Sequence, residues 1–168
     1  MSSQHPKPNT QDLIPIQNFY PDEVAICYGC GRLNPDGLHI QTYWNGEEGI
    51  CRFTPQPKHS AFPGFVYGGL LASLIDCHSM GTAIVATYHA EGRAPGTEPE
   101  ITYVTGNLNV TYLKPTPLGV ELVIRSRMKE LFPKKAIIVS SLYAGEEECV
   151  RGEVIAVRVK SRATMGQR

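Results

Sequence analysis

GGLLASLIDCHSMGTAIVA, residues 68–86, is an apolar run too long for a strand, and Asp76 within it is the only formally charged side chain between Lys58 and Glu91. Leu70, Leu71, Leu74, Ile75, Met80, Ala83, Ile84 and Val85 fall on nearly every side of a 3.6-residue period. That pattern belongs to a helix enclosed by its own protein rather than laid on a surface. A core helix over residues 68–88 is the expectation. An ionised carboxylate in apolar surroundings is costly unless it is paired, hydrogen-bonded or protonated, so Asp76 needs a partner or a use.

Around this helix the period changes to two. Residues 38–44 alternate apolar and polar groups, Asn45-Gly-Glu-Glu-Gly49 supplies turn chemistry, and residues 50–54 resume the alternation, which predicts a hairpin. Pro55, Pro57 and Pro63 hold an extended connection into the helix. Beyond it, strands are predicted over 101–113, 120–129, 136–144 and 149–159, with separators short enough for an antiparallel meander. A single helix this apolar needs a sheet curved around it, so the fold class is α+β. Residues 12–168 are expected to form a single domain, with residues 1–11, polar and Pro-containing, as a disordered tail.

Sixteen basic and sixteen acidic side chains cancel. There is no basic field for a nucleic acid and no polybasic stretch for a membrane surface. The N-terminus has no basic region followed by an apolar one, which makes a cytoplasmic location the expectation and membrane insertion unexpected. The five cysteines, Cys27, Cys30, Cys51, Cys77 and Cys149, read as thiols rather than as a disulfide framework. Cys27-Tyr-Gly-Cys30 is half of a tetrahedral zinc site; Cys51, Cys77 or a histidine would have to complete it in space, and the alternative is a turn built on Gly29 and Gly31. The sequence assigns no metal and no cofactor.

Three blocks resemble the hot-dog-fold acyl-CoA thioesterases, in particular the branch of the phenylacetate-pathway thioesterases and the mammalian thioesterase superfamily members. Gly64-Phe-Val-Tyr67-Gly68-Gly69-Leu-Leu-Ala-Ser-Leu74-Ile-Asp76 is similar to the family block G-x-x-H-G-G-x-x-x-x-L-x-D at the start of the central helix. Thr105-Gly-Asn107-Leu108-Asn109-Val-Thr-Tyr112-Leu-Lys-Pro115 is similar to T-x-N-L-N-x-x-Y-x-x-P, and Cys27 to Leu38 resembles a leader segment of these proteins. The resemblance implies a hot-dog fold, an acyl-CoA substrate and an obligate dimer with sites between subunits, the dimers free to pair as tetramers. It points to Asp76, Gly68 and Thr105 as catalytic and to Tyr67, Gly69 and Asn107 as substrate-binding residues.

Thioester hydrolysis needs a nucleophile, either a carboxylate or a water it activates, and stabilisation of charge on the carbonyl oxygen. The Gly68-Gly69 pair opening a helix offers unobstructed N–H groups at the positive end of the dipole. Eight residues at about 1.5 Å each place Asp76 on the order of 12 Å along the axis from Gly68. One chain can hardly bring both to one carbonyl, whereas two chains can.

Thr105 matches the family hydroxyl that orients the carboxylate or the water, yet strict alternation sets Thr105 with Asn107 and Asn109, opposite Leu108, Val110 and Tyr112. A bulge at Gly106 would re-aim it; otherwise Thr105 is a solvated strand residue. His78 reads as a core histidine. Tyr67 stands where many relatives carry histidine, and a phenol offers a donor but no imidazole basicity. That replacement keeps a second reading open, a non-catalytic acyl-CoA or acyl-carrier binding module.

Overall fold

The computed structural model describes residues 13–160; the predicted disordered tail, residues 1–11, lies outside them. A short 3₁₀ turn, Ile16–Phe19, precedes β1 (Tyr43–Trp44) and β2 (Gly49–Phe53), and a second, Pro57–His59, leads to α1 (Gly68–Ala90). Then come β3 (Thr102–Tyr112), β4 (Leu122–Leu131), β5 (Lys135–Ala144) and β6 (Glu147–Val159). The six strands form one antiparallel sheet in the order β1-β2-β4-β5-β6-β3, packed on the single long helix. The helix and the last four strands lie where the change of period placed them.

Two expectations are corrected. Only β4, β5 and β6 form a meander, because β3 pairs with β6 at the far edge rather than with β4. The reason lies in Pro115 and Pro117, which cannot donate ladder bonds and hold their segment extended. Thr116 between them gives its carbonyl to Val66 N–H at 2.9 Å, so the connection spans to the segment before α1 instead of turning back. The first hairpin arm is also shorter than predicted. Leu38 and Ile40 donate to the carbonyls of Tyr28 and Gly29 at 2.8 and 2.9 Å, and only Tyr43 and Trp44 pair with β2.

Alternation along the strands builds the face that meets the helix. Leu122 and Ile124 of β4, Ala136, Ile138 and Leu142 of β5, and Val150, Val154 and Ala156 of β6 are buried beneath α1. Leu74 and Ile75 are fully buried among them, each worth about 1.5–3 kcal/mol of transfer free energy. Gly152 lets Ile75 reach the β6 backbone; a Cβ there would collide with the Ile75 side chain. Two apolar clusters, one around Leu74 and Ile75 and one around Ala83 to Tyr88, lie on either side of a polar layer. Its members are mutually satisfied: Ser79 and Ser126 each meet Ser140, at 2.8 and 2.6 Å, and His78 bonds Thr42 Oγ1 at 2.9 Å and the Gly49 carbonyl at 3.2 Å. His78 is thus a core histidine, and burial pushes it down to about 4 from the ordinary 6.5.

The helix is not covered evenly. From Gly81 to Tyr88 every residue is buried, but Gly69, Ala72, Ser73, Asp76, Cys77 and Met80 form a half-buried stripe along its first three turns. By length and composition α1 could cross a membrane, yet 67% of its most apolar stretch is buried inside this fold.

Candidate active site

Asp76 lies midway along the half-buried stripe and has its partner on β3. Thr105 Oγ1 donates to Asp76 Oδ1 at 2.6 Å, in the short range of charge-assisted bonds. The conflict over alternation is resolved by a bulge. The β3–β6 register runs Thr105 to Ala156 and then Asn107 to Ile155, so Gly106 is the extra residue. Thr105, opposite fully buried Ala156, thereby shares the helix side with Leu108, opposite fully buried Val154. Asn107 and Asn109, opposite Ile155 and Glu153, fall on the other side. The structure therefore joins Thr105 to Asp76 and does not bring Asn107 to them within this chain. Burial pushes the Asp76 carboxyl above its ordinary value, the Thr105 bond acts in the opposite sense, and the Cys27 sulfur adds to the rise.

The other predicted residues gather at the helix N-terminus. Tyr67 is the N-cap, with extended backbone and no side-chain cap bond. Its carbonyl accepts from Leu70 N–H at 3.1 Å and Leu71 N–H at 3.3 Å. Among the described residues no acceptor meets the N–H groups of Gly68 and Gly69, the first donors of the helix. The Tyr67 ring lies over Gly69, where any Cβ would strike it. Tyr112, from the end of β3, donates its hydroxyl to the Gly68 carbonyl at 2.8 Å and so pins the first turn.

A cleft of about 580 Å³ opens beside Gly68, walled by Phe62, Phe65, Leu71 and Tyr112, with Lys114 and Thr116 as polar members. Thr116 Oγ1 is buried and finds no partner among the described residues. Cleft and Tyr112 contact went unpredicted, because the walls come from separate segments that only the β3–β4 crossover brings together.

Beside Asp76, Cys77 meets the CxxC turn. The Sγ atoms of Cys27, Cys30 and Cys77 all lie within 4.8 Å of one another. Cys27 accepts from the Cys77 thiol, from the backbone N–H groups of Cys30 and Gly29, and from the Cys30 thiol, which together hold it at about 4. The Cys77 thiol is pushed up by the same contacts. The CxxC was legible in the sequence, with Cys51, Cys77 or a histidine as candidates to join it; the fold selects Cys77.

One long helix held by a curved six-stranded antiparallel sheet defines the hot-dog class. The model of the thioesterase superfamily matches residues 63–158, and the chain belongs to that family. It is 27% identical over 132 residues to an acyl-coenzyme A thioesterase THEM4 of Xenopus laevis, covering 76% of this chain and 54% of that protein. The chain thus spans about half the length of that relative. A thioesterase superfamily protein from Shewanella loihica superposes with a TM-score of 0.60 at 42% identity, over 71% of this chain and 90% of that one. A Streptococcus mutans protein solved bound to acetyl CoA shares the fold, with a TM-score of 0.57 at 19% identity over 69% and 84% of the two chains.

Proposed function

We propose that this chain hydrolyses acyl-CoA thioesters to a free acid and CoA, as a cytoplasmic dimer or pair of dimers whose sites lie between subunits. The observation that carries the reading is the 2.6 Å bond from Thr105 to Asp76. It orients a carboxylate that lies on the half-buried stripe along the first three turns of α1. The THEM4 relative, named an acyl-coenzyme A thioesterase, supports the substrate class.

In this mechanism the Asp76 carboxylate takes a proton from water as the oxygen adds to the thioester carbonyl carbon. Charge moves to the carbonyl oxygen, where Gly68 N–H of a second subunit donates to it. The C–S bond then breaks and CoA leaves as a thiolate that recovers the proton. Direct attack by the carboxylate, followed by water opening the anhydride, uses the same atoms. Thr105 touches no reacting atom in the first route and is a positioning residue.

Pairing of subunits has a route in the sheet. β3 is a terminal strand of 11 residues, while β1 at the opposite edge has only 2. A long open edge invites another strand. Antiparallel pairing of β3 with its copy about a two-fold axis sets the two helices antiparallel, and in a register centred between Gly68 and Asp76 the N-terminus of one faces the middle of the other. That geometry spans the distance on the order of 12 Å between Gly68 and Asp76, which a single helix cannot close.

The test is release of free CoA from short, long and aromatic acyl-CoA substrates by wild type and Asp76→Asn. The expected loss is on the order of 10²–10⁴-fold. Turnover that survives the substitution refutes the assignment, and tight binding without turnover by the wild type favours the binding module.

A further inference from the structure

We propose that Cys27, Cys30 and Cys77 form a three-thiolate site for one Zn(II) ion that clips the N-terminal CxxC turn to the central helix. The inference is independent of the catalytic reading. It starts from convergence: three sulfurs, two from one turn and one from a residue 47 positions further along the chain, lie within 4.8 Å of each other. Tetrahedral zinc with Zn–S near 2.3 Å needs sulfurs about 3.8 Å apart. Closing the set requires shifts of about 1 Å or less, within the reach of χ1 adjustments.

The turn is shaped for this arrangement before any ion is considered. Gly31 N–H donates to the Cys27 carbonyl and Leu33 N–H to the Ala25 carbonyl, both at 2.8 Å, which closes a tight loop. Leu38 and Ile40 fasten its far side through the carbonyls of Tyr28 and Gly29. Gly29 is what admits the third sulfur, since a Cβ there would occupy the place of Cys77 Sγ. Gly31 is equally confined, its Cβ position lying 2.5 Å from the Ala25 carbonyl oxygen and 2.6 Å from that of Cys27.

The chemistry selects the ligand class. Three soft sulfurs suit a thiophilic d¹⁰ ion rather than an oxygen-seeking cation. On binding, each thiol ligates as a thiolate and its proton goes to solvent. The fourth position falls to water on the side of Cys27, which is exposed. A disulfide accounts for less: it would employ two of the three sulfurs, require an oxidant, and leave the third without a role. The other two cysteines, Cys51 and Cys149, are buried in the core and serve as controls.

The experiment measures zinc in full-length protein purified under reducing conditions, then titrates metal-stripped protein with Zn(II) against a chromophoric chelator and with Cd(II), following thiolate-to-metal charge-transfer absorbance. One equivalent is expected. Cys30→Ser and Cys77→Ser should each weaken zinc binding by more than the ~10–100-fold typical of an outer-shell partner. Cys51→Ser and Cys149→Ser should bind as wild type does. Cys30→His, which restores a zinc ligand, should recover binding and shows that loss in the serine variant is not a failure to fold. Zinc binding unchanged in Cys77→Ser, no binding by reduced wild type, or a Cd(II) signal equal in the control and site variants would each overturn the proposal.

Discussion

Gly68→Pro separates the oxyanion donor from everything else Gly68 does. Gly68 is the first helical residue, and Tyr67 before it is extended at φ −62° and ψ 128°, as a residue preceding proline requires. Proline is well suited to that position, where the N–H has no intrahelical acceptor. Room exists as well: a Cβ on Gly68 would lie 3.5 Å from the Tyr112 ring, an ordinary van der Waals contact. The Tyr112 bond goes to the Gly68 carbonyl, which proline retains. The substitution therefore removes one N–H and little more. If that donor serves the carbonyl oxygen, kcat should fall by about 10²–10³, or roughly 2.7–4 kcal/mol, with KM and thermal stability close to wild type. The decisive assay mixes two inactive proteins. In a heterodimer of Gly68→Pro with Asp76→Asn, one of the two sites holds an intact Gly68 and an intact Asp76 from opposite chains. Random reassortment should restore roughly a quarter of wild-type activity. Full activity of Gly68→Pro alone would refute the donor, and an inactive mixture of fully exchanged dimers would refute the shared site.

Three further perturbations probe the same framework. Thr105→Val keeps the shape and deletes the hydroxyl, so turnover should drop by the ~1.5–3 kcal/mol of a charged hydrogen bond, with the melting temperature less affected; steady-state kinetics beside calorimetry checks this. His78 is fully buried and depressed to about 4, so its contribution is complete above the ordinary 6.5 and is lost as pH falls toward 4, when the unfolded chain takes a proton that the folded one refuses. Across that window the loss is on the order of 3 kcal/mol, and urea unfolding of wild type should show a fall that His78→Gln does not. Gly152→Ala should cost ~1–3 kcal/mol through the clash with Ile75 Cγ2, and the double variant with Ile75→Ala, which deletes that atom, should cost less than the sum of the two single changes in denaturant titrations.

Features that depend on local period and local chemistry alone can be read from the residues in order. The run from Gly68 could only be a helix buried by other elements, since no strand is that long and no surface helix that apolar. The alternations of β4, β5 and β6 face the core as written, because side chains alternate wherever the ladder is regular. Asp76 could be singled out because a lone carboxylate in apolar surroundings is costly wherever the chain folds it. The tertiary structure decided what depends on which segments meet. It sent β3 to the far edge, since Pro115 and Pro117 forbid the hairpin that a short connection suggested. It inserted Gly106 as an extra residue against β6, and that single shift of register turned Thr105 toward Asp76 and left Asn107 on the other side. It also set Cys77 against Cys27 and Cys30, a contact between residues that share no local pattern. Periodicity reports which way a side chain faces within its own element; only the packing of distant elements reports what it faces.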